Sequence, residues 1–187
     1  MFDMSAPTLR DRLREGSADV RARLDTAVGQ ADLRFVDGFA RFLAMNARAF
    51  GALAGSGARG ELTTNDMLDA LARAATTDLA KLGHPRPATT TLRPVLPLAV
   101  DYVVLGSRLG TRVLRRTWQS AEDARVLAAD RYFRQPELTD LWRAHCRDLS
   151  ARPGNDSTAQ AVLDDVTALF ALFLESYDIS AGVPSDG

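Results

Sequence analysis

The chain has 187 residues, 46 % of them hydrophobic, and a formal net charge of −1. That length favours one domain with a sizeable core, and the balanced charge argues against a non-specific nucleic-acid binder. One cysteine, Cys146, and two histidines, His84 and His145, exclude an internal disulfide framework, a Cys-cluster metal site and a multi-His centre. No leader and no apolar run of about 20 residues stands out. A cytoplasmic, soluble protein with no membrane partner is expected.

Helical spacing dominates, with neither an alternating strand pattern nor an internal repeat. A first helix is expected from Thr8 to Gln30, with Thr8 as N-cap and Leu9, Leu13, Ser17, Val20, Leu24 and Val28 inward. A second runs from Phe35 to Leu53, with Phe35, Phe39, Phe42, Leu43, Phe50 and Leu53 inward, before a Gly-rich turn. A third runs from Thr64 to Leu82, stopped by Gly83. Prolines at 85, 87, 94 and 97 mark a loop that leads into a helix from Pro97 to Trp118. A short helix around Ala121 to Arg131, another from Glu137 to Ala151 and a final one from Asp156 to Asp178 follow. The sum is an all-α, single-domain bundle of six to eight helices over 1–179, with a disordered tail at 180–187.

The helix from Pro97 holds the most unusual feature. Ala99, Tyr102, Leu109 and Val113 form its apolar stripe, and Gly106 and Gly110 sit within that stripe one turn apart. Each glycine in a helix interior costs about 1 kcal/mol relative to alanine. Either two helices pack closely there, or something flat approaches the backbone.

Two separated segments together resemble the haem oxygenase family, in particular the bacterial, biliverdin-producing enzymes that accompany phytochromes. Residues 13–25, Leu-Arg-Glu-Gly-Ser-Ala-Asp-Val-Arg-Ala-Arg-Leu-Asp, are similar to the family's first helix. Residues 102–110, Tyr-Val-Val-Leu-Gly-Ser-Arg-Leu-Gly, are similar to its distal helix, and Phe39–Leu43 and Leu141–Arg143 fit the same order. The resemblance implies a haem-oxygenase-like bundle with haem held between the first and distal helices. It implies oxidative cleavage of haem to biliverdin, with release of iron and CO and electrons from a donor protein or reductant. It makes Gly106 and Gly110 the distal wall, gives Ser107 the ordering of a catalytic water, and places Arg14 on a propionate. Arg21 is a second residue suited to an anionic ligand edge. Tyr102, one turn before Gly106, either hydrogen-bonds near the ligand or packs in the core, and packing is the expectation.

The chain departs from that pattern at Arg21, where the family has its iron-ligating histidine. A guanidinium is protonated and offers no lone pair. Thr111 stands where a further glycine is common, and the last helix lacks Lys and Arg. His84, in the Pro-rich loop, and His145, on a late helix, are the only imidazoles that could replace the missing ligand. Cys146 reads as a small buried hydrophobe. Arg108, Arg112, Arg115 and Arg116 form a basic stretch, read as a solvated face or, more sharply, a docking patch for an acidic electron donor. Two functions fit these residues. One is an active haem oxygenase. The other is a non-catalytic relative that binds another tetrapyrrole or small ligand, or acts as a regulatory partner-binding module.

Overall fold

A computed structural model describes residues 7–180. It is all-helical, with eight helices and no strand among the described residues: α1 (Leu9–Gly16), α2 (Ala18–Gln30), α3 (Val36–Gly55), α4 (Asn65–Lys81), α5 (Pro97–Gln119), α6 (Ala124–Ala128), α7 (Thr139–Ala151) and α8 (Ser157–Ser180). α3 lies along α4 and α8. α5 packs on α7 and α8, and α8 also receives α1 and α2. The expected tail at 180–187 begins inside α8 at Ser180, and 181–187 lie outside the described residues. α8 is the one described helix long and apolar enough to span a bilayer, contrary to the expectation of no such run, and half of its apolar window is buried in the fold. Val162, Val166, Leu169 and Phe173 supply that burial.

The expected first helix is interrupted. Ser17, fully buried, leaves helical geometry at φ −100°, ψ 4° and divides α1 from α2. Its hydroxyl donates back to the Leu13 carbonyl at 2.7 Å, a bond that bends helices. Leu9 and Leu13 are buried, whereas α2 buries no residue fully and rests Val20, Leu24 and Val28 part-buried on the bundle. α1 is fixed at its start: Leu9 N–H donates to the Arg152 carbonyl at 3.0 Å and Gly154 N–H to the Pro7 carbonyl at 2.8 Å.

Other expectations also shift. Phe35, read as inward, is the N-cap of α3 and is 63 % exposed. The short helix after Trp118 shrinks to five residues, because Asp123 caps it and the chain then turns through 129–135. There Tyr132 and Phe133 enter the core, and Phe133 stacks on Phe39 and Phe42 at 5.7 and 5.9 Å. Leu109 and Val113, read as inner-stripe residues of α5, are exposed. Arg108, read as solvated, is buried: its Nε donates to the Pro136 carbonyl and one Nη to the Gln135 carbonyl.

A single carboxylate ties α5 to the segment before α4. Asp101 is fully buried and accepts backbone N–H bonds from Glu61 and Thr63 at 2.8 Å and from Leu62 at 3.0 Å. Successive N–H groups converging on one carboxylate are strong, charge-assisted bonds. Gly60 is required for this approach, since any Cβ there would overlap the Asp101 carboxylate.

Candidate functional site

A cleft of about 450 Å³ opens between the α1–α2 arm and α5, with α3 and α8 beneath. Ligand pockets commonly span about 300–1,000 Å³. Every binding residue expected from the sequence lines this one cleft: Arg14, Arg21, Tyr102, Gly106, Ser107 and Gly110. They come from three helices, Arg14 from α1, Arg21 from α2 and the rest from α5, more than 80 positions further along the sequence.

The α5 wall is bare. A Cβ built on Gly110 would meet nothing within 4 Å, and one on Gly106 would only touch the Trp142 ring at 3.5 Å. No backbone crosses either glycine, so close helix packing does not account for the pair. The Ser107 hydroxyl donates to the Val104 carbonyl at 2.8 Å, which leaves its lone pairs free to accept. Thr111 borders the cleft and turns its hydroxyl to the Arg108 carbonyl.

The α1–α2 wall is cationic. Arg10, Arg14 and Arg21 line the cleft with one acid, Asp25. Arg14 is exposed and lies 3.4 Å from Asp11 and from Glu15. Tyr102 is buried, and burial pushes its hydroxyl above the usual phenol range, while Arg21 and the Ser17 hydroxyl oppose that rise. Its ring packs on Trp142 at 5.7 Å. Tyr102 therefore both packs and presents a polar edge to the arginines.

The floor is aromatic. Phe42, Phe170, Phe173 and Tyr132 line it, and the Tyr132 hydroxyl donates to Asn46 Oδ1 at 2.8 Å. The acidic residues of α8 point elsewhere. Asp165 accepts from the Leu96 N–H at 2.7 Å and pairs with Arg93, and Glu175 lies 3.5 Å from Arg48. The last helix thus gives the cleft rings instead of charges.

No imidazole or thiolate for iron lines the cleft, whose remaining donor atoms, besides two phenols, are the Asp25 carboxylate and the Met45 thioether. Neither histidine lines the cleft. His84 lines a separate cavity, and His145 is buried on α7, 6.4 Å from the Tyr102 ring and 6.2 Å from the Trp142 ring. Burial lowers the His145 pKa, and its Nε2 has no partner. Cys146 is also absent from the lining, and burial raises its thiol pKa. The two lining phenols are held protonated by burial. No group of three or more His, Cys, Asp or Glu able to hold a metal lies among the described residues.

Several lining residues carry little sequence signal. Arg10 stands one turn before Arg14, a spacing that could have flagged it. Asn46 is an isolated amide in an apolar helix. Tyr132 sits in an irregular segment where periodicity is silent, held there by its N–H donating to buried Asp78 at 2.8 Å. Compared with known proteins, the sequence matches no family model and no curated protein.

Proposed function

We propose that this is a haem-oxygenase-like protein that binds an anionic tetrapyrrole in the α1–α2/α5 cleft without ligating iron, and that it is not an oxygenase. The carrying observation is Arg21. It occupies the proximal position implied by the resemblance, lines the cleft, and leaves no imidazole there. A guanidinium is a poor iron ligand and a strong carboxylate partner. Arg10, Arg14 and Arg21 would meet the propionates, the bare α5 wall would face the ring plane, and the aromatic floor would stack on or enclose the apolar body. The cationic edge and the apolar interior together describe an amphipathic anion, and an iron-free linear or cyclic tetrapyrrole is one.

One observation favours the second reading, an active oxygenase that cleaves haem to biliverdin with an electron donor. Gly106, Ser107 and Gly110 line the cleft together, as the distal wall in that reading requires. Titration of the protein with biliverdin, protoporphyrin IX and haem separates the two. The proposal expects saturable binding of an iron-free tetrapyrrole, and haem bound no more tightly than protoporphyrin IX. A nitrogen-ligated Soret band with haem, followed by reductant-driven conversion to biliverdin, would overturn it.

A further inference from the structure

A different stripe of α3 faces a second cavity. Asp37, Arg41, Ala44 and Arg48 recur at i, i+4, i+7 and i+11, so they share one side of the helix. With His84 and Arg86 from the loop after α4 and the C-terminal end of α8, they enclose about 430 Å³. Ala44 is small enough to leave the floor concave. Three guanidinium groups and an imidazole face one carboxylate, Asp37.

Two of these arginines are poised for an anion in different ways. Arg48 is only 9 % exposed. One Nη donates to the Ala88 carbonyl at 2.9 Å, the other lies 3.5 Å from the Glu175 carboxylate, and Nε is buried with no partner. Glu175 is 63 % exposed, so the buried cation is compensated mainly by a solvated group. Leaving a buried charge incompletely paired is costly. Arg41 stacks on the Tyr177 ring at 3.7 Å, and its Nε donates to the Tyr177 carbonyl at 3.2 Å. Stacking fixes the guanidinium plane, which lowers the ordering cost of a bidentate contact. Neither Arg41 nor Arg86 forms an ion pair among the described residues, so neither is neutralised by a carboxylate at contact distance.

We propose that this cavity binds a small organic anion, whose carboxylate or phosphate is held by Arg41 and Arg86 while buried Arg48 supplies positive field from behind. The proposal is independent of the tetrapyrrole reading, since the cavities share α3 and α8 but no lining residue. The two histidines provide a site-specific test, because His84 lines the cavity and His145 is buried on α7. The full chain is titrated with inorganic phosphate, phenyl phosphate and benzoate at constant ionic strength, and the imidazole resonances are followed by NMR. The expected result is a saturable shift at His84 with a Kd below about 1 mM for at least one probe, and no shift at His145. The phosphate and carboxylate arms identify the group. Arg41→Gln/Arg86→Gln should weaken binding at least tenfold, with the His145 signal reporting that the fold is intact. If the double variant misfolds, Arg86→Gln alone, on the exposed loop, should still weaken it several-fold. No saturable response at His84, equal movement of both histidines, or binding unchanged in the folded variant would each overturn the proposal.

Discussion

On the α5 side of the cleft the backbone lies open at Gly110 and meets only the Trp142 ring at Gly106, and the residues that follow them, Ser107 and Thr111, are small. On the α1–α2 side, Arg10, Arg14 and Arg21 project guanidinium groups. One wall carries shape without charge, and the other carries charge without an imidazole for iron. On the proposed reading, such a cleft would meet a tetrapyrrole's outline and acidic edge while offering its metal no imidazole. Shape and coordination are separate chemical requirements, and they reside here on separate helices.

The largest effect is expected from releasing the α5 wall. Asp101→Ala removes the only acceptor for three converging N–H groups. It should destabilise the protein by about 3 kcal/mol or more, measured by urea denaturation. A loss below about 1 kcal/mol would show that this carboxylate does not fix α5. On the charged wall, Arg21→Gln should weaken iron-free tetrapyrrole binding about tenfold, or about 1.4 kcal/mol. Stability should stay within about 0.5 kcal/mol because Arg21 is exposed. Equal affinity in wild type and variant would remove Arg21 from the site.

Gly110→Ala sharpens the contrast from the other side. A methyl group there meets nothing, so helix propensity should raise stability by about 1 kcal/mol, while the new atom should weaken tetrapyrrole binding. A destabilised variant would mean that the glycine serves the fold and not the cleft. The smallest effect is a pH dependence. Burial lowers the folded-state pKa of His145 from 6.5, with Asp101 and Asp148 opposing and Arg152 assisting. A depressed folded pKa adds stability above the unfolded value, and that stability is lost as pH falls from about 6.5 toward the folded value. Denaturant melts between pH 7 and 5 should show this loss, reduced in His145→Gln.

Much of this cleft is legible in the sequence. The glycine pair interrupts a strong helical stripe, and the two resembling segments supply residues that meet across the cleft. The α5 stripe also shows where pattern reading stops. Tyr102, Gly106 and Leu109 do share a face, but that face looks into the open cleft, so Leu109 is exposed, while Val113 lies beyond the cleft lining and is exposed there. Apolar periodicity identifies a face and does not distinguish a core from a concavity. Arg108 fails for the converse reason. Its burial depends on the carbonyls of Gln135 and Pro136, which come from an irregular segment with no periodic signal. The break at Ser17 escapes because a single hydroxyl bonding back to Leu13 bends the chain without altering the apolar spacing.

Arg21→His places an imidazole in a cleft whose other wall is unchanged. Wild type is expected to give no nitrogen-ligated Soret band with haem, and Arg21→His to gain one, with tighter haem binding. If wild type already shows that band, or if the variant gains none while folded, the claim that only the donor at position 21 separates this cleft from a haem site is contradicted.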